Sequence, residues 1–406
     1  MKVREFNLTG TFKISKEQII VITAAFLSLL AIVGFALYGL PFFYDFYIRE
    51  FDWTRATVTS GNFLGKLLVA PLFGFIAGWI IDKYGPKRMM IAGVLMTSAA
   101  FIGLSQMNSL GLFYISYVFV ALGYVFGGPL PCQVLISRWF TKNRGKAMGI
   151  AYLGIGTGGA LVPLIAAGLI NNIGWQSALI IIALLITLIA IPFSFFVKNA
   201  PPDFIETRPS EPYVPVTAIL RNPYFYLLAF GSMCSIGAVG GINQHLKLYL
   251  RDLEYTQTEA AHVLSMVLFM SLAGRLIMGW LADLMPRKYV MILIYLIVGS
   301  SIPLLLLPDF PGRIYLFSVI FGIGLGGDYM IIPLMAGDLF GVRILGRVMG
   351  IILVADGIAE TLFPVLIGRL YDKVQNYNIG FLVLIGLAMA GVLIVSFLPG
   401  HKKSDA

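Results

Sequence analysis

The 406-residue sequence predicts an all-helical membrane protein whose twelve spans form two pseudo-symmetric six-helix halves. Composition is the first reason: 58% of residues are hydrophobic and 12% charged, against the ~25% charged that is ordinary in a soluble chain. Polar or proline-containing breaks then divide the chain into twelve apolar runs, each long enough to cross a bilayer, for which about 20 residues suffice. Finally, motifs recur at one separation. Gly78-Trp-Ile-Ile-Asp82 returns as Gly279-Trp-Leu-Ala-Asp283, Gly145-Lys-Ala-Met-Gly-Ile150 as Gly346-Arg-Val-Met-Gly-Ile351, and Pro163 as Pro364, each 201 residues on. Echoes in a single register identify an internal duplication.

The first run, 19–47, follows Lys2, Arg4, Lys13 and Lys16, outlasts a signal-peptide core and has no small-residue cleavage site, so an uncleaved helix is expected. Asp45, with Tyr38, Phe42 and Tyr44, reads either as a wall of an outer vestibule or as an ordinary helix end. The second run, 54–82, closes at Asp82 before a basic loop. Runs 87–107, 111–137, 144–171 and 175–197 are separated by Asn108-Ser109, the basic stretch from Arg138 to Lys146, and Asn171-Asn172. The interval from Lys198 to Pro223, with Pro201, Pro202, Pro212 and Pro215, reads as a linker. It predicts halves at 1–200 and 222–406 joined by a cytoplasmic linker at 201–221, within which Val216–Arg221 suits a short surface helix. The second half repeats the pattern at 222–250, 256–283, 288–308, 312–340, 346–371 and 378–398. These runs are continuous, without the alternation of barrel strands.

Of the 29 Lys and Arg, 20 fall on the side of the N-terminus and 7 on the other, with Lys66 and Arg275 inside runs. Positive charge marks the cytoplasm, so both termini are expected there. The net charge of +9 is thus explained by orientation and implies no nucleic-acid partner. Lys66 reads as a side chain that snorkels to the outer interface. Cys132 and Cys234 lie in apolar runs and read as packing residues. No nucleotide loop, metal cluster or nucleophile motif is present, so neither an enzyme nor a cofactor is expected.

Arg275 lies eight residues inside Asp283, roughly 12 Å into the eighth run. A charge there costs at least ~2.5–3.5 kcal/mol unless it faces a cavity or a partner, so it marks a functional site for an anion. Asp328 in the tenth run and Asp356 and Glu360 in the eleventh are also mid-membrane, and i,i+4 spacing puts the last two on one helix face. Their counterparts in the first half are Gly127, Ile155 and Gly159, and that of Arg275 is Gly74. Three acids with one arginine imply ion pairing, protonation or a positively charged part of the substrate. Two carboxylates one turn apart resist joint ionisation, so one can hold an exchangeable proton.

The loop Gly78, Asp82, Lys83, Gly85, Pro86, Lys87 and Arg88, with its echo at Gly279 and Asp283, resembles the signature loop of the major facilitator superfamily, whose halves are parallel six-helix repeats around a midplane site. The resemblance implies that fold, with these loops gating one end. Phe51-Asp-Trp-Thr-Arg-Ala56, Arg138-Trp-Phe-Thr-Lys-Asn-Arg-Gly-Lys-Ala-Met-Gly149, His245-Leu-Lys-Leu-Tyr-Leu-Arg-Asp252 and Gly274-Arg275 are similar to stretches of the monocarboxylate transporters and their bacterial relatives, which include oxalate:formate antiporters. In that family an arginine of the eighth helix binds the substrate carboxylate, and Arg275 matches it. Many relatives carry an acid one turn earlier, where this chain has Ser271. Cavity-lining helices of the family correspond to those holding Tyr114, Tyr117, Tyr124 and Tyr329. His245 reads as a gate or relay, or as a satisfied interfacial histidine.

The resemblance implies a secondary active transporter moving a small monocarboxylate or related organic anion by alternating access with proton symport. An oxalate:formate type of exchange and transport of an amino acid or other amine-bearing substrate are the alternatives, with a non-transporting sensor behind them. The expected partners are the carboxylate, protons and membrane lipid; a functional monomer in a bacterial inner membrane is expected.

Overall fold

The structure, a computed structural model, describes residues 14–54, 57–58, 60–61, 69–202, 215–308 and 310–400. Lys66, Arg55 and Ala56, residues 203–214 of the expected linker, and Lys2, Arg4, Lys13, Lys402 and Lys403 lie outside them. Among the described residues there is no strand. The chain forms α1 (Lys16–Phe51), α2 (described over Ala70–Tyr84), α3 (Pro86–Ser105), α4 (Leu110–Trp139), α5 (Arg144–Ile173) and α6 (Trp175–Phe196). After the short helix Val216–Arg221 come α7 (Pro223–Asp252), α8 (Gln257–Leu284), α9 (Arg287–Leu306), α10 (Arg313–Phe340), α11 (Leu345–Val374) and α12 (Asn378–Ser396). All but α2 have the length and apolar content to span a membrane over the residues described.

Local chemistry sets the helix ends. Ser15 and Gln18 form a capping box that starts α1, and Thr256 and Glu259 form one at α8. The Asn222 side chain accepts the Tyr224 N–H at the start of α7, where Pro223 has no N–H to lose. Gly85, at φ +88°, ends α2 in a conformation that a side chain would strain.

Three helices depart from regular winding. α1 carries a π-helical segment at Leu30–Leu37 and a 3-10 turn at Leu40–Phe43. That turn places Pro41 where its missing N–H costs nothing, so α1 runs past the expected limit at 47. α4 is jointed at Gly128, before Pro129, and α9 at Ile302, before Pro303.

Packing follows the duplication. α2 lies against α11 and α5 against α8, related pairs that join the halves. Within the second half α8 packs tightly on α10: a Cβ at Gly326 would come within 2.1 Å of the Ser271 carbonyl oxygen. This contact fixes the depth and orientation of Arg275 relative to Asp328 and Tyr329.

Candidate functional site

Arg275 stands where α8 meets α5 of the other half. Its carbonyl oxygen is 2.6 Å from the Cβ position of Gly149, and its Nη1 is 3.1 Å from that of Gly156. Small residues on α5 therefore leave room for the guanidinium between the halves. Nη1 is buried without a hydrogen-bond partner, and among the described residues no carboxylate is within ion-pair distance of Arg275. A buried charge in this state is costly, and its fork of donors is available to an anion.

The surroundings are tyrosines. Tyr38 of α1 and Tyr152 of α5 are the electrostatic neighbours of Arg275. Tyr38 also lies in the field of Glu360, as do Tyr124 of α4 and Tyr329 of α10. Tyr38 is 46% exposed and Tyr124 and Tyr329 are partly exposed, so these three line an open cavity, with the buried Tyr152 behind them. Tyr152 is held by a hydrogen bond from Gln133 Nε2. Glu360 is half-buried, with its Cγ 3.1 Å from the Cβ position of Gly240 on α7.

Asp328 and Asp356 sit inside the C-terminal half. Asp356 accepts a 2.7 Å hydrogen bond from Ser232 Oγ of α7. Both oxygens of Asp328 are buried without a partner. Ion pairing with Arg275, one of the options open from sequence, is absent for both in this conformation. Adjacent helix positions differ by about 100°, so with Tyr329 at the cavity Asp328 points elsewhere.

The remaining predicted residues are dispersed. Tyr117 is 1% exposed, packed on Phe113 and over Gly61; it lies seven residues from Tyr124, roughly 10 Å along α4. Tyr114, farther out, hydrogen-bonds Ser60 Oγ at 3.0 Å. Ser271 is 1% exposed and donates to the Leu268 carbonyl of its own helix at 2.7 Å. His245 bridges Pro364 O (2.9 Å, Nε2) and the Tyr377 hydroxyl (3.3 Å, Nδ1). A carbonyl only accepts, so Nε2 carries a proton. Burial and the Asp252 carboxylate push the Tyr377 phenol up to about 12, so it keeps its proton. Both ring nitrogens are thereby engaged within the C-terminal half. Sequence leaves Tyr38 either at an outer vestibule or at an ordinary helix end, and it does not single out Tyr152 or Gln133. Their signal is a polar side chain amid the small-residue, helix-bending stretches of α4 and α5.

The end of the bundle that carries the α2–α3 and α8–α9 loops is closed by two related clasps. Asp82 accepts the backbone N–H groups of Gly346 and Arg347, both at 3.0 Å, and Arg347 Nε at 3.1 Å. Asp283 accepts those of Gly145 and Lys146, both at 2.8 Å. Each aspartate thus caps the first turn of a helix in the opposite half. An ion pair of 3.9 Å between Arg144 of α5 and Asp338 of α10 adds to the seam, and Asp338 is also bound by Arg287. Arg138 lies 4.0 Å from Asp82. The other loop residues act within their own half. Lys83 lies over the Trp79 and Tyr84 rings at 4.9 and 5.1 Å, Lys87 donates to the Phe195 carbonyl and through its N–H to Asn199, and Arg88 is exposed.

Loss of a cap costs about 1–2 kcal/mol. Asp82→Ala and Asp283→Ala should each open this seam roughly 5–30-fold more often. A cysteine at Ala282, fully buried in the seam, should then react faster with an impermeant maleimide in a background lacking Cys132 and Cys234. Unchanged labelling would show that the aspartates do not hold the seam.

The sequence matches the Major Facilitator Superfamily over residues 24–275 and 246–406. Monocarboxylate transporter 13 of Bos taurus is 25% identical over 391 residues, which cover 94% of this chain and 88% of that protein. The uncharacterized MFS-type transporter YcxA of Bacillus subtilis (strain 168) is 25% identical over 358 residues, covering 84% and 86%. The crystal structure of the MFS transporter FucP in the outward conformation has the same fold, with a TM-score of 0.73 at 15% identity over 94% of this chain and 99% of FucP. The twelve helices, the duplicated halves and this match agree: the chain belongs to the Major Facilitator Superfamily and is a membrane transporter, not an enzyme.

Proposed function

We propose that this transporter moves a small monocarboxylate or related organic anion by alternating access, holding the substrate carboxylate on Arg275. The observation that carries this reading is the buried, unpartnered Nη1 of Arg275 beside a solvent-open cavity lined by tyrosines from both halves. A carboxylate completes the guanidinium fork with charge-assisted hydrogen bonds, and phenols supply further donors. Relatives named monocarboxylate transporters support the substrate class. The basic loops make the clasped end cytoplasmic, with both termini inside, in a plasma membrane of bacterial inner-membrane type. Halves 1–200 and 222–406 then rock about the cavity, tethered by 201–221, with Asp82 and Asp283 fastening the inner gate.

Coupling is to protons through Glu360 of α11, the one of the three intramembrane acids that borders the cavity. In proteoliposomes an inward proton gradient alone should drive accumulation of at least one of labelled formate, acetate, lactate and pyruvate. Uptake that appears only when a carboxylate is loaded inside identifies an exchanger and overturns symport. A second reading, a zwitterionic substrate, draws on Tyr38 lying in the fields of both Arg275 and Glu360. Thermal stabilisation by amino acids but not by simple carboxylates would select it.

A further inference from the structure

Four helices of the C-terminal half bring oxygen-bearing side chains together away from Arg275: Ser232 and Ser235 of α7, Tyr295 of α9, Asp328 of α10 and Asp356 of α11. None is more than 4% exposed. The bond from Ser232 to Asp356 is made, but both Asp328 oxygens, Ser235 Oγ and the Tyr295 hydroxyl have no partner. They are nonetheless neighbours. Tyr295 lies in the fields of Asp328 and Asp356, the Ser235 hydroxyl is near enough to interact with Asp328 though not in hydrogen-bonding geometry, and Asp356 lies in the field of Asp328. Among the described residues no Lys, Arg or His pairs with either carboxylate.

Two carboxylates in a dry interior need neutralising charge. A proton would complete one oxygen and draw in at most a neighbouring hydroxyl. A coordinated cation engages several oxygens at once. The five side chains offer oxygen alone, which suits a hard cation and not a transition metal; the Cys234 thiol adjoins Tyr295 but is not among the neighbours of either carboxylate. A divalent ion would require a fuller shell, commonly with retained water, in a pocket whose walls are almost wholly buried. A monovalent ion needs less.

The duplication supplies an internal control. The counterparts of Ser232, Ser235, Tyr295, Asp328 and Asp356, 201 residues earlier, are Ala31, Gly34, Val94, Gly127 and Ile155. The same scaffold packs there with no side-chain oxygen, so none of the five is required by the fold.

We propose that Ser232, Ser235, Tyr295, Asp328 and Asp356 form a binding site for a sodium ion within the C-terminal half, separate from the Arg275 cavity. The ion neutralises one carboxylate, while Ser232 continues to support the other. Asp328 precedes Tyr329 on α10, and Asp356 is one turn from Glu360 on α11, so filling the site adjusts two walls of the cavity. The site goes beyond the anion reading and does not depend on it.

The test is thermal unfolding of the purified protein in detergent, with sodium chloride exchanged for choline chloride at constant pH and ionic strength. Sodium should raise the Tm saturably. The shift should vanish in Asp328→Asn and Asp356→Asn, and persist in Arg275→Gln and Glu360→Gln. If an aspartate variant does not fold, Ser235→Ala and Tyr295→Phe carry the comparison, each needing about tenfold more sodium or above for half the effect. Four outcomes overturn the site: no saturable sodium shift, an equal shift in Asp328→Asn, unchanged sodium dependence in both Ser235→Ala and Tyr295→Phe, or stabilisation by calcium or magnesium alone. Because uptake is not the readout, loss of carboxylate transport in Arg275→Gln with an intact sodium shift separates this site from the anion site.

Discussion

Arg275→Gln should abolish gradient-driven carboxylate uptake while leaving the protein folded, inserted and at least as heat-stable as the unsubstituted chain. Both halves of that expectation come from one feature. The guanidinium is partly buried and its Nη1 is enclosed without a partner, so its removal relieves a burial cost instead of breaking a native contact. The same removal deprives a bound carboxylate of charge-assisted hydrogen bonds worth about 1.5–3 kcal/mol each, so a lost bidentate pair reduces uptake at limiting substrate by roughly 10²-fold or more. Arg275→Lys keeps the charge but not the planar fork and should fall between. Initial rates in proteoliposomes, with Tm measured on the same preparations, check both parts. Uptake within about twofold of the unsubstituted chain would remove Arg275 from the substrate site.

Gly78→Val should trap the bundle with its clasped end apart. A Cβ at Gly78 would sit 2.2 Å from the Gly346 carbonyl oxygen, and its nearest contacts all belong to the other half. The N-terminal half therefore folds undisturbed, and the strain falls on the seam alone. Gly145→Val should act alike, since a Cβ there lies 2.2 Å from the Gly279 carbonyl oxygen. Overpacking costs about 1–3 kcal/mol, which shifts the closed population roughly 5–150-fold. Spin labels at Tyr84→Cys and Tyr289→Cys, both exposed and in opposite halves, should report a longer distance, and transport should fall in step. Gly168→Val, with nothing within 4 Å of its Cβ, is the control. An unchanged distance in Gly78→Val would mean that the seam tolerates a side chain.

The fold was readable from sequence because lipid demands long apolar runs and because the duplicated motifs repeat in register. Arg275 was readable from its cost in a membrane. Its tyrosine surroundings were less so. Tyr38 follows directly on the π-helical segment of α1, and a change of winding there defeats any assignment of faces by regular periodicity. The clasp at Asp283 was only half visible, since its partners on α5 include backbone N–H groups, which no residue type announces. Ser232, Ser235 and Tyr295 are unremarkable one at a time. They acquire meaning from three-dimensional convergence and from their apolar counterparts in the other half.

The reciprocal capping by Asp82 and Asp283 has an electrostatic side. Both carboxylates belong to α2 and α8, whereas the N–H groups they cover open α11 and α5. When that end parts, the carboxylates leave with their own helices, and the positive ends of two helix dipoles are bared at the mouth of the cavity. Opening therefore turns a sealed surface into one that attracts negative charge, which suits the anionic substrate proposed above.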